Sequence, residues 1–257
     1  MAKVTGLPEF EDLHTKRKWM LNHMAAAFRM FGRNGYNEGT AGHVTVRDPI
    51  DENTFWINPL EVPFSLMKPS DLVHINSDGE IIGGSKMKYN TSGFAIHYEM
   101  HKVRPEVICV CHVHSIYGKA FSALGKPLDM LNTDCCVFYN NHGIYFDMDD
   151  VISMPEEGRR TAKGLADYKA VLVQNHGIMT VGTTVDEAAY LLSLMERSCQ
   201  IQLLIDSATK VGERKHVHPT RAKAIRENAD NPVGLYTAQQ PNFLYEVACS
   251  NGELEII

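Results

Sequence analysis

The apolar run Val107-Ile108-Cys109-Val110-Cys111, ending in His112-Val113-His114, sets the tightest limit on what this chain can fold into. It is short, rich in β-branched residues and preceded by Arg104-Pro105, which predicts a buried strand. Side chains two apart in a strand point to one face. His112 and His114 therefore project together, about 6–7 Å apart along the backbone, a separation that suits two ligands of one ion. The same pattern fits a strand end carrying two half-buried polar rings, and a third ligand would decide between them. A similar unit lies downstream, where the apolar strand Ala170 to Val173 delivers His176 into an Asn175-His176-Gly177 turn. Three neutral imidazoles are a common catalytic zinc set that leaves one position open to water or substrate. On spacing alone the downstream unit reads equally well as a tight turn without a ligand.

The remaining segments supply a frame. Leu21, Met24, Phe28 and Phe31 recur at helical spacing within a helix from about 12 to 34, with Gly32 and Gly35 at its end. His43 to Arg47 and "TFWINP" predict strands, and "DLVHINSDGEIIGG" predicts a hairpin turning at Ser77-Asp78-Gly79. "TSGFAIHYEMHKVRP" predicts a helix capped by Thr91 or Ser92. The clearest helix is "TVDEAAYLLSLMERSCQIQLLIDSA", where Thr184 and Glu187 form a capping-box pattern. This order implies one α/β domain over residues 1–257, with a core from about 12 to 210 and a more polar, less periodic tail from about 215 to 257. The hairpins imply a mixed, largely antiparallel sheet. The net charge of -6 and the lack of a basic stripe argue against nucleic acid. No stretch is long and apolar enough to span a membrane, and the N-terminus has no signal-peptide core. A cytoplasmic protein with six reduced cysteines is expected, Cys109, Cys111 and Cys199 serving as small core residues.

Four stretches, "GTAGHVTVRDP", "FWINP", "TSGFAIHYEMHKVRPEVICVCHVHS" and "LVQNHGIMTVGTTVDEA", occur in this order between about residues 12 and 210. Together they resemble the class II aldolase/adducin family. The resemblance implies a three-layer α/β/α sandwich, often a homotetramer with sites between subunits, and a divalent metal, usually zinc, on His112, His114 and His176. Iron or manganese would suit the same set. The departures are as informative. Where this chain has Gly93, the family's sugar-phosphate aldolases have an acid that shuttles a proton, and glycine can do no acid–base chemistry. Where it has His43 they have Asn, and where it has Leu60-Glu61 they have a Ser/Thr-Gly pair that helps cradle phosphate. A carboxylate at Glu61 would repel a phosphate by ~1–4 kcal/mol. The aldolases' proton-donating tyrosine has no clear match, although Tyr139 lies near the right region. These losses bring the chain nearer to adducin heads and to free-standing relatives that keep the histidines and lack the acid.

The resemblance then implies a metal-dependent lyase, a decarboxylase or aldolase-like enzyme, acting on a small non-phosphorylated oxygenated acid. Its substrate contacts would fall on His43, Thr91 and Ser92, with the acid–base group unassigned. Two alternatives stand beside it: a non-catalytic adducin-like module for actin or spectrin, and a non-haem iron oxygenase. Among the other candidates, His97 lies four residues beyond Gly93 on the same helix face, either close to the metal region or simply packed. His142 imitates the Asn-His-Gly turn, Arg47 reads as structural, His216 and His218 as solvated, and Glu99 and Glu106 as surface charges.

Overall fold

The structure, a computed structural model, describes residues 6–146, 153–208 and 211–257. The N-terminal helix α1 (Leu13–Arg33) is followed by strands β1 (His43–Arg47), β2 (Thr54–Ile57), β3 (Val73–Asn76) and β4 (Ile81–Gly84). Helix α2 (Thr91–Val103), strand β5 (Cys109–Val113), helix α3 (Ile116–Ser122), strand β6 (His142–Tyr145) and helix α4 (Met154–Leu165) come next. The chain ends with β7 (Ala170–Val173), β8 (Gly177–Gly182), α5 (Val185–Ser207), α6 (Pro219–Ala229) and α7 (Pro232–Cys249). The eight strands form one sheet in the order β4-β3-β2-β1-β5-β8-β7-β6. Every neighbouring pair is antiparallel except β6 and β7. The sheet is therefore mixed and largely antiparallel.

Side-chain alternation sorts the sheet into two buried faces. On β1 and β5, Val44, Val46, Cys109, Cys111 and Val113 join a core with α1, α5 and α7. Val110, with Met179 and Val181 of β8, joins a second core with Ile96 and Met100 of α2 and Ala162 and Leu165 of α4. Helices thus cover both faces, giving the α/β/α layering. Parity then fixes a consequence for the site: His43, Thr45 and His112 lie on the face covered by α2.

Three expectations are revised. Residues 215–257, for which the sequence predicts a polar tail, include two helices, and α7 inserts Tyr236 and Phe243 into the core against α1 and α5. Its periodicity is hidden because buried positions are polar: Gln240 donates to Asp186 (2.9 Å), which also holds His23 (2.8 Å), and Pro241 stands inside the helix. Glu99 is buried, not a surface charge, and lies 3.8 Å from both Lys102 and Arg159. Helix α2 is capped by Asn90 rather than Thr91 or Ser92, the Asn90 Oδ1 accepting from Gly93 N at 2.9 Å. Replacing Asn90 by Ala is expected to cost about 1 kcal/mol, read as a lower urea midpoint at unchanged m-value.

Candidate metal centre and its buried wall

His43 of β1 pairs directly with His112 of β5 in the antiparallel register, and Met179 of β8 pairs with His112 from the other side. The end of β5 therefore carries His112 and, one residue past the strand, His114. The turn between β7 and β8 brings in His176. Its shape is set by Asn175, at φ +58°, and by Gly177, at φ +155°, where a Cβ would stand 2.7 Å from the Val113 carbonyl oxygen. Asn tolerates the left-handed region, and Gly177 permits the close strand approach.

These elements bring His112, His114 and His176 together, each offering one ring nitrogen, with the three nitrogens within 4.8 Å of one another. The His114 and His176 Nε2 atoms are 3.1 Å apart. Two ligands of a tetrahedral ion at 2.0–2.1 Å would stand about 3.3 Å apart, so this spacing fits such an ion. His112 Nδ1–H donates to the Ile178 carbonyl at 2.9 Å, which leaves Nε2 as the bare nitrogen, and that atom is buried without a hydrogen-bond partner. Behind His176, a Glu157 carboxylate oxygen lies 3.8 Å from Nδ1. A carbonyl hydrogen-bonded behind a ligating imidazole orients the ring and raises its basicity, the role that Ile178 fills for His112. Burial, then His176 and Lys119, pull His114 down to about 4, with Glu38 partly opposing, and burial takes His112 well below its usual value. Both are neutral at pH 7, the form a divalent ion requires.

Beside the three rings stands a wall of further histidines. His43 packs against His112 and His97, with ring centroids 5.2 and 4.2 Å away. Both His43 nitrogens and His97 Nε2 are buried without partners. The spacing has a geometric cause. Four residues of helix advance about 6 Å and two of strand about 6.7 Å, so Gly93, His97 and His101 of α2 keep step with His43, Thr45 and Arg47 of β1. Thr45 Oγ1 bonds His97 Nδ1 at 3.0 Å and His101 Nε2 at 2.9 Å. A Cβ on Gly93 would lie 2.4 Å from His43 Cε1 and 2.5 Å from its Nε2. The His43 ring thus fills the space into which a side chain at position 93 would project. Burial, then His176 and His114, push His43 down to about 3, with the Gly93 backbone partly opposing.

The remaining candidates take varied places. Thr91 and Ser92 are exposed, neither hydroxyl bonds to a histidine of the cluster, and Thr91 lines a cavity with Asp78, Tyr89 and Tyr98. His142 uses both ring nitrogens structurally, Nδ1–H donating to the Phe138 carbonyl (2.7 Å) and Nε2 accepting from Leu128 N (3.0 Å). Arg47 binds the carbonyls of Glu52, His101 and Val107, and so ties β1 to α2. His97 is fully buried in the wall. Sequence reasoning missed Glu157, the Thr45–His101 pair and Glu196. Glu196 accepts from Ser115 Oγ (2.6 Å) and from the amides of Tyr117 (2.9 Å) and Gly118 (2.6 Å), fixing the chain just past His114.

This architecture and histidine arrangement can be set beside known proteins. The profile of the Class II Aldolase and Adducin N-terminal domain matches residues 22–203. The chain belongs to the class II aldolase/adducin family. It is 39% identical over 207 residues to decarboxylase NovR of Streptomyces niveus, covering 80% of this chain and 77% of that protein. It is also 39% identical over 202 residues to 4-hydroxy-3-prenylphenylpyruvate oxygenase/4-hydroxy-3-prenylbenzoate synthase of Streptomyces roseochromogenus subsp. oscitans, covering 78% of this chain and 73% of that protein. Among solved structures, L-fuculose 1-phosphate aldolase from Glaciozyma antarctica PI12 superposes with a TM-score of 0.89 at 37% identity over 97% of both chains. Relatives named decarboxylase and synthase within an aldolase family support a lyase-type enzyme. No helix among the described residues is long and apolar enough to cross a membrane.

Proposed function

We propose that this protein is a metal-dependent carbon–carbon lyase that decarboxylates a small, non-phosphorylated oxygenated acid, working as a homo-oligomer. The observation that carries the reading is the trio His112, His114 and His176, whose ring nitrogens lie within 4.8 Å of one another, with the His114 and His176 Nε2 atoms 3.1 Å apart. Bound there, a divalent ion, zinc by preference and iron or manganese as options, would supply Lewis-acid polarisation of a substrate carboxylate and its neighbouring oxygen. His112 is held in register by Ile178, His176 is backed by Glu157, and His43 walls the side facing α2.

Decarboxylation ranks above aldol cleavage because of what stands at positions 43, 61 and 93. Aldol cleavage needs a group to take and return a proton. Gly93 offers none, and His43 closes the space where one would reach in. Loss of carbon dioxide leaves the bonding electron pair behind without a base, and water can protonate it afterwards. Next to Gly42, whose Cβ position lies 3.1 Å from Phe64, a cavity of about 340 Å³ is lined by Thr40, Asn58, Leu60, Glu61, Val62 and Phe64. Its wall mixes the polar Asn37, Thr40 and Asn58 with apolar groups, and its one charged group, Glu61, is exposed and disfavours phosphate. The fuculose-phosphate aldolase name of the structural relative points the other way, and the two curated relatives' names point to decarboxylation and oxygenation. The second reading is an iron-dependent oxygenase, favoured by the oxygenase among those relatives.

The test is an assay of the metal-loaded protein on 2-oxo and 2-hydroxy acids with aryl or alkyl tails, following carbon dioxide with and without dioxygen. Carbon dioxide release that does not need dioxygen is expected, with no cleavage of fuculose 1-phosphate. Efficient cleavage of that sugar phosphate would overturn the reading, and strict dependence on dioxygen with bound iron would select the oxygenase.

A further inference from the structure

We propose that a one-way hydrogen-bond chain running from Val107 through His101, Thr45 and His97 orients His43 so that it presents a bare acceptor nitrogen to the site. His43 would then receive an O–H group of the substrate, not a carboxylate oxygen. The inference rests on the reading above for what enters the site. The polarity of the chain is a property of the protein alone.

Hydrogen-bond accounting fixes the direction. The Val107 carbonyl can only accept, so His101 carries its proton on Nδ1, 3.2 Å away. His101 is buried and neutral, pushed down to about 3 by burial and then by Arg47, so its Nε2 is a lone pair. That nitrogen accepts the only proton of the Thr45 hydroxyl, at 2.9 Å. The Thr45 oxygen is then an acceptor toward His97, at 3.0 Å, and His97 carries its proton on Nδ1. His97 Nε2 is left as a buried lone pair without a partner. Against it lies the His43 ring, planes tilted by 40°, whose two nitrogens make no hydrogen bond of normal geometry, with only the backbone of Gly93 alongside as a competing partner. Buried polar atoms are seldom left unpaired. One N–H of His43 turned onto His97 Nε2 satisfies both rings and leaves the second His43 nitrogen as an acceptor. His101, Thr45 and His97 are positioning residues in this account, and the selected substrate is a hydroxy acid or the hydrated or enol form of an oxo acid.

Neutron diffraction from crystals of the full chain, without substrate, locates these protons directly. The expected result is a proton on Nδ1 of both His101 and His97, and one on the His43 nitrogen nearer His97. Thr45→Val removes the link while keeping the β-branched shape, and Thr45→Ser keeps the link. In Thr45→Val the His43 proton is expected to lose its fixed position, and in Thr45→Ser to keep it. Binding of two probes to the metal-loaded protein supplies the functional readout. Glycolate is expected to bind wild type and Thr45→Ser about 3- to 10-fold more tightly than methoxyacetate, which lacks the O–H. Thr45→Val is expected to lose that preference at unchanged metal content. A proton on His97 Nε2 in the wild type, an unmoved His43 proton in Thr45→Val, or equal binding of both probes by the wild type would overturn the proposal. A protein that binds no metal would instead defeat the functional reading, while the proton positions still decide the chain's polarity.

Discussion

Replacing His114 by Ala is expected to abolish metal binding and turnover while leaving the fold in place. His114 stands just past β5 and is half-buried, and its Nε2 faces His176 at 3.1 Å rather than any backbone group. Its loss should cost the fold less than about 1 kcal/mol. Metal affinity should fall by more than about 100-fold, since 10–100-fold is typical for losing only a group behind a ligand. His112 is a poorer target because its ring also holds the Ile178 carbonyl, so a change there mixes structural and metal effects. The measurement is metal content by mass spectrometry together with thermal unfolding over a range of zinc concentrations. Zinc at 100-fold above its dissociation constant stabilises the wild type by about 2.7 kcal/mol through mass action. The wild-type midpoint should therefore rise with zinc and that of His114→Ala should not. Equal metal content in the two proteins would remove the three-histidine centre from consideration.

What the sequence made legible depends on how local each cause is. The shared face of His112 and His114 follows from a period of two over three residues. The sheet's mixed character follows from turn residues between short apolar runs. The C-terminal helices were not legible, because α7 buries Gln239, Gln240 and Glu246 through partners on distant elements, among them Met30, Asp186 and Arg33. Hydrophobic periodicity cannot register a polar residue that is buried because its partner stands on a distant element. His97 could not be assigned from spacing for a related reason: its neighbour is Thr45, on a strand more than fifty residues away in sequence. Glu196 gives no local signal either, since the amides and hydroxyl it accepts from all lie near the start of α3. The absence of an acid at position 93 was legible, but the ring that closes its space was not.

That reciprocal fit between Gly93 and His43 gives the second large effect. Gly93 sits at the third position of α2, where Glu is normally favourable: it replaces glycine in a helix, gaining up to about 1 kcal/mol, and it can reach back to the helix start. The contact with His43 has the opposite sign and is larger. A Cβ 2.4 Å from a ring atom forces a ring that is 4% exposed to move, and that ring is held between His97 and His112. Overpacking of this kind costs about 1–3 kcal/mol, and a carboxylate brought among neutral buried imidazoles adds to it. Gly93→Glu alone is therefore expected to lose about 3 kcal/mol or more. His43→Asn removes the ring and opens the space. The double variant His43→Asn/Gly93→Glu should recover at least half of that loss, giving a favourable coupling of well over 1 kcal/mol in a double-mutant cycle. It would then carry the residues of the sugar-phosphate aldolases at both positions, yet it should still fail to cleave fuculose 1-phosphate, because Glu61 continues to repel the phosphate. Additive losses in the cycle would show that the two positions do not compete for one space. Cleavage by the double variant would show that Glu61 is no barrier, and that positions 43 and 93 together are what separate this chain from an aldolase.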